Sequence, residues 1–145
     1  MNQVKTSTEI ESDFYRFVKS SPLASSVCGS VYRDGMRPRN SKSEDVVVIF
    51  VAGVDGQIQD GVVVINVFVP KKPFGKGTDP VKDIRRIGVL ERVIRDWLDT
   101  RPCAPEYHLP QDGSPTIKDY EDPETGETYI NVRVKFRRCA ETVTS

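Results

Sequence analysis

The sequence predicts an α+β fold, a two-layer sandwich with two main helices packed on one face of a mostly antiparallel sheet of four to five strands. Three observations predict it. Two stretches carry apolar residues at helical spacing, one near the N-terminus and one between 80 and 100. Two β-branched runs, DVVVIFVAG at 45–53 and GVVVINVFVP at 61–70, follow one another across a short turn-rich link. Near the C-terminus, YINVRVKF at 129–136 alternates apolar and polar residues without a break.

Thr8 and Glu11 have capping-box spacing, and Ile10, Phe14, Phe17 and Val18 fall on one stripe, so a helix of about three turns is expected there. Ser20-Ser21-Pro22 ends it, because a residue before proline resists helical geometry. Leu23 and Ala24 then pack the helix exit, and Val27 to Tyr32 reads as a short strand. The run Val46 to Val51 is expected to be covered on both faces and to pair with 61–70 as a hairpin at the centre of the sheet, with Gly53, Asp55 and Gly56 in the turn. KKPFGKGTDP at 71–80 is a loop by its prolines and glycines.

Asp79 followed by Pro80 predicts the start of the second helix, a capping carboxylate with proline at the first helical position. Ile84, Ile87, Leu90, Ile94, Trp97 and Leu98 form its apolar stripe, with Arg85, Arg86, Glu91, Arg92, Arg95 and Asp96 on the other face. Thr100-Arg101-Pro102 closes it. After a proline-rich loop, 116–121 and 129–136 are strands joined by the DPETGE turn. In the last strand Ile130, Val132, Val134 and Phe136 point inward, whereas Asn131, Arg133, Lys135 and Arg137 face water or a partner.

A chain of 145 residues fits one domain, 1–145, with flexible ends at 1–6 and 140–145. Hydrophobic residues make up 37% and charged residues 29%, as in a folded soluble protein. The 21 basic and 21 acidic residues cancel, which argues against a partner that is mainly duplex nucleic acid. No stretch has the apolar length of a membrane span, nor the first fourteen residues that of a signal peptide, so a cytoplasmic site of synthesis is expected. Cys28, Cys103 and Cys139 are odd in number and scattered, so reduced thiols are expected.

Candidate chemistry is thin. The single His108 lies in a proline-rich loop with no neighbouring nucleophile elbow, and only pairing through space with Cys28 or Cys139 would make it catalytic. Cys28, Cys103, His108 and Cys139 have the ligand types of a zinc site without its close spacing. Asp45, Asp60 and Asp119 are the carboxylates a metal-dependent nuclease would need, yet no Asp/Glu-x-Lys signature accompanies them and turn chemistry explains such acids equally well. GKG at 75–77 lacks the glycine–lysine order of a phosphate loop. Arg133, Lys135 and Arg137 could meet phosphate, but only Tyr129 interleaves with them.

One segment stands out. RDGMRPRNSKSED, 33–45, places four basic and three acidic residues between two strands. Together with SSPLASSV before it and EDVVV and VINVFVPK after it, it forms the pattern VYRDGxRPxNSxxEDVVV followed by a strand of NVxVP type. This pattern resembles the tail-terminator or tail-completion (head–tail joining) proteins of long-tailed bacteriophages and prophages, small α+β subunits found as rings at the head–tail junction. The resemblance covers about residues 7 to 100 and is best in 20–72, while 101–145 match only as an extended region ending in a strand.

The resemblance implies a structural virion protein, made in the bacterial cytoplasm, that caps the tail tube, stops its growth and presents a surface to the head connector or head-completion protein. It implies a six-fold ring of copies of the chain, and no catalytic residue, metal or cofactor. No membrane and no sequence-specific nucleic acid are expected as partners. On this reading 33–45 and 71–78 are interface loops, in which mixed charge gives specificity, with Arg33, Asp34, Arg37, Arg39, Lys42, Glu44, Lys71, Lys72 and Lys76 as interface residues. The alternatives are a metal-dependent enzyme acting on nucleic acid through Asp45, Asp60 and Asp119, and a small cytoplasmic binding module.

Overall fold

A computed structural model describes residues 4–53, 56–103, 105–110 and 114–139. The elements are α1 (Ser7–Lys19), α2 (Pro22–Ser26), β1 (Val31–Arg33), β2 (Val46–Gly53), β3 (Ile58–Val69), α3 (Ile84–Asp99), β4 (Tyr107–His108), β5 (Thr116–Glu121) and β6 (Thr128–Cys139). They form an α+β fold with one open mixed sheet, ordered β1-β2-β3-β6-β4, with β5 pairing on β6 as well. Among the described residues only β1 and β2 are parallel, and every other pairing is antiparallel. β4 and β5 pair with different stretches of β6, residues 137–138 and 128–133.

One sheet face is covered. Val46, Val48, Val63, Ile65, Val67, Ile130, Val132, Val134 and Phe136 join Ile10, Phe14 and Val18 of α1 and Ile87, Leu90, Ile94, Trp97 and Leu98 of α3 in one buried cluster. The opposite face carries the outward residues of β6, of which Arg133, Lys135 and Arg137 are exposed. There Asn131 donates from Nδ2 to Asn66 Oδ1 at 2.8 Å, and Arg137 Nε donates to Asp60 Oδ1 at 2.8 Å.

Several boundaries differ from the sequence expectation, each for a local reason. The helix cap is Thr6 with Glu9, the same spacing two residues earlier: Glu9 N–H donates to Thr6 Oγ1 at 3.2 Å and Thr6 N–H to Glu9 Oε1 at 2.9 Å. This frees Glu11 to accept from Arg33 Nε at 3.0 Å. The second long helix starts at Asp83 rather than Asp79, because Val81 exchanges backbone hydrogen bonds with Lys72 and is held extended. Leu23 and Ala24 lie in the short helix α2, and the first strand shrinks to 31–33. β3 begins three residues earlier than expected, and β4 was not anticipated.

The strand Val46 to Val51 is covered on both faces only at its start. A register shift between Phe50 and Ala52 puts an extra residue into β2, and Val51 turns out to solvent, 47% exposed. Of the ends expected to be flexible, 1–3 and 140–145 lie outside the described residues, whereas Lys5 and Thr6 are hydrogen-bonded. Val54 and Asp55 of the expected turn also lie outside them.

Candidate functional site

The charged segment 33–45 is built around Arg37. Its Nε donates to Asp45 Oδ2 at 3.0 Å, its Nη1 lies 3.0 Å from Glu127 Oε2, and its guanidinium stacks 3.8 Å over the Phe68 ring. Asp45 is buried and also accepts from Ser30 N–H at 3.1 Å and from the Ser41 hydroxyl. Burial pushes its carboxyl pKa up, but the Ser41 and Ser30 hydrogen bonds and the Arg37 charge outweigh that and hold it below the usual range. Gly29 lets these strands close: a Cβ there would sit 2.8 Å from the Glu44 carbonyl carbon and overlap the Asp45 carboxylate.

Glu44 is held in the same way from the helix layer. Arg86 Nε donates to its Oε2 at 2.7 Å and Nη2 to its Oε1 at 2.9 Å, while Cys28 N–H donates to Oε1 at 3.2 Å. The Arg86 hydrogen bonds, against burial, keep the Glu44 pKa below the ordinary carboxylate value, and Glu44 in turn raises that of Arg86. Arg86 therefore reaches into the fold, and is not part of the solvated face of the second long helix.

The loop 71–82 is a hairpin-like arm with a fixed base. Lys72 and Val81 exchange backbone hydrogen bonds of 2.8 and 2.9 Å. On either side of that bridge, Lys71 Nζ meets Glu121 Oε1 at 2.6 Å and Lys82 Nζ meets Asp119 Oδ2 at 2.7 Å, both on β5. The Lys82 contact lowers the Asp119 pKa. Beyond this base the tip carries Lys76 and a largely uncovered Phe74. Between the arm and the 122–127 turn lies a cleft of about 580 Å³, lined by Lys42, Phe68, Lys71, Pro80, Thr125 and Glu127 among others.

The structure thus gathers the two expected interface loops and the 122–127 turn around one cleft at one end of the sheet. Asp34, Arg39, Lys42 and Lys76 are exposed. Arg37 and Glu44 are tied inward, Arg33 is bonded to Glu11 and to the Thr8 carbonyl, and Lys71 is paired with Glu121. Lys72 lies exposed at the arm's base, 4.0 Å from Asp83. Phe74, Phe68 and Glu127 were not among the residues the sequence singled out, and Arg86 was expected only on the solvated face of its helix. Phe74 did leave a signal, since it is a large apolar side chain in a polar, glycine-rich loop with no periodic partner.

The candidate catalytic acids do not meet. Asp45 pairs with Arg37, Asp60 with Arg137 on the outer face, and Asp119 with Lys82 on β5. Among the described residues no three His, Cys, Asp or Glu side chains are placed to hold a metal ion, the cysteines and His108 included. Cys28 and Cys139 are exposed, and burial pushes the Cys103 thiol up to about 12. A buried polar cluster at the far end is also self-satisfied. Asp13 accepts from the Tyr107 hydroxyl at 2.7 Å and from Lys5 at 2.5 Å, and Arg138 donates to Gln59 Oε1 at 2.9 Å. Burial, and then the Asp13 carboxylate, push the Tyr107 pKa up, so its phenol stays protonated and donates.

On the open face the strands bring Phe68 and Tyr120 beside Tyr129, with ring centroids 5.7 and 6.0 Å apart. Arg37 covers Phe68 at one end of this row. No protein-family model matches the chain, and no curated protein does.

Proposed function

We propose that the protein is a structural, non-enzymatic subunit of the head–tail junction of a long-tailed bacteriophage or prophage, a tail-terminator or tail-completion protein acting as a ring. Its partners are copies of itself, the tail tube protein and the head connector or head-completion protein. It needs no cofactor.

The observation that carries this reading is how the surface divides. The acids that could have served chemistry are each paired with a cation, whereas apolar side chains are bare on the loops, Met36 at 67% exposed and Phe74 at 74%, and at the start of α3, where Ile84, expected in the core stripe, is 70% exposed. A surface of adaptable loops with mixed charge and isolated apolar tips suits docking against other subunits. The resemblance of 20–72 to head–tail joining proteins agrees with it, because the quoted pattern builds the scaffold from which these loops project.

Native mass spectrometry across a range of protein concentrations, with and without chelator, tests this. A discrete metal-free ring, six-fold by expectation, supports the proposal. A monomer that holds a divalent ion tightly and cuts plasmid DNA in Mg²⁺ or Mn²⁺ sinks it and favours the nuclease reading.

A further inference from the structure

Along β6 itself only Tyr129 stands among the outward cations, but the strand pairings bring two more rings to it. Tyr129 is opposite Phe68 of β3 on one side and Tyr120 of β5 on the other, so three rings form a row across the open face. Their centroids are 5.7 and 6.0 Å apart. Arg37 stacks on Phe68 and closes the row at that end, whereas Tyr129 is half-buried and Tyr120 is 49% exposed. Next to the row Asn131 is opposite Lys118, and Arg133 and Lys135 follow along β6 at intervals of about 7 Å.

Charge on this face is one-sided. The whole chain is neutral, with 21 basic and 21 acidic residues. Yet among the described residues the outward positions of β3, β5 and β6 carry Lys118, Arg133, Lys135 and Arg137 against one carboxylate, Asp60, which Arg137 neutralises. Lys118, Arg133 and Lys135 are exposed and form no ion pair among the described residues. Between rings and cations, Asn131 Nδ2 donates to Asn66 Oδ1, which leaves one amide donor and one amide carbonyl for a group above the sheet.

We propose that this face binds single-stranded nucleic acid without regard to sequence, with bases stacked on Tyr120 and Tyr129 and phosphates along Lys118, Arg133 and Lys135. Rings in a row offer a surface that any base fits, and cations alongside hold the backbone. A duplex keeps its base faces inside the stack and presents grooves, which admit a helix or a narrow ribbon and not a broad sheet. An acidic protein segment would meet the cations and leave the rings unused. The inference is independent of the ring reading, which concerns the loops at the end of the sheet.

The test is fluorescence anisotropy of a labelled oligothymidylate titrated with the full chain over a series of salt concentrations, with duplex DNA of equal length and polyglutamate as competitors. Three phosphate contacts predict a slope of about −2 for log K against log salt. Tyr120→Ala weakens binding about tenfold, and Arg133→Gln reduces the size of the slope by about 0.7. Both side chains are exposed, so both variants keep the wild-type melting temperature. Ultraviolet irradiation of the wild-type complex places oligothymidylate cross-links on Tyr120 or Tyr129.

No binding at low salt overturns the proposal. A duplex that binds as tightly as the single strand, or an affinity indifferent to Tyr120→Ala, overturns it too, because the face then attracts polyanions by charge alone. Displacement by polyglutamate at equal charge assigns the cations to an acidic protein partner instead. Native mass spectrometry of the free chain reads the ring separately. A ring that ignores oligothymidylate sinks this inference alone, and binding by a chain that stays monomeric supports it while lending nothing to the ring.

Discussion

Replacing Arg37 by alanine separates a residue that holds the fold from one that meets a partner. Its side chain is 13% exposed and that of Asp45 only 2%, so the pair is largely shielded from water. Breaking a buried ion pair by removing one member costs about 3–5 kcal/mol when the other charge is stranded. Asp45 is not fully stranded, because the Ser30 amide and the Ser41 hydroxyl still donate to it. Loss of the guanidinium from the Phe68 ring adds about 0.5–1 kcal/mol.

Together these place the loss near 3 kcal/mol, or roughly 6–12 °C in melting temperature for a domain of this size. Arg39→Ala, at an exposed position of the same segment, should stay within about 0.5 kcal/mol of wild type. The assay is urea unfolding of both variants at pH 7 and again in acid. The Asp45 pKa is lowered in the folded state, so its contribution is complete above the unfolded value of about 3.9 and is lost as pH falls through the folded one. The gap between wild type and Arg37→Ala should therefore narrow below about pH 4. Equal stabilities for the two variants at pH 7, or a gap that widens in acid, would refute the reasoning.

Gly29→Ala forces a methyl group against the Glu44 backbone, and a loss of about 2–3 kcal/mol is expected in denaturant titrations. Trp97→Ala, which empties a buried position between α3 and the sheet, should cost about 3–5 kcal/mol, and little change in the unfolding midpoint would mean that α3 docks loosely. Arg86→Met removes the cation beside Glu44, whose lowered pKa gives stability above about pH 4.3 that disappears as pH falls through its folded value. Acid titration of stability, followed by circular dichroism, should accordingly be shallower in Arg86→Met than in wild type.

The sandwich was legible because its signals are local. The Val46 and Val63 runs, the 84–98 stripe and the Ile130-to-Phe136 alternation each announce an element within about fifteen residues. The boundaries moved where a long-range contact outweighed a local one. Asp79-Pro80 is a sound helix start until Val81 is paired with Lys72, and Val51 reads as core until the bulge turns it outward. Neither pairing leaves a trace in the nearby sequence. The site followed the same rule: 33–45 is conspicuous by charge, but Arg37 gave no sign that its partners would be Phe68 and Glu127, 31 and 90 residues away. Arg86 had the spacing of a solvated helix face, and only the arrival of Glu44 beneath it gave it another role.

This changes what the charged segment means. In a loop whose charges were all free, the pattern and the docking surface would be the same residues. Here the pattern's Arg37, Glu44 and Asp45 are bound inside, beside a glycine that has no room for a side chain, so they fix the path of the loop. What they leave outside is Asp34, Met36, Arg39 and Lys42. The arm repeats the arrangement, with Lys71, Lys72, Val81 and Lys82 holding the base and Phe74 and Lys76 standing at the tip. A rigid base with a bare tip loses less conformational freedom on docking than a loose loop would, so more of the contact energy is left for association. Charge at the base therefore serves shape, and on the proposed reading recognition would fall to the few residues beyond it.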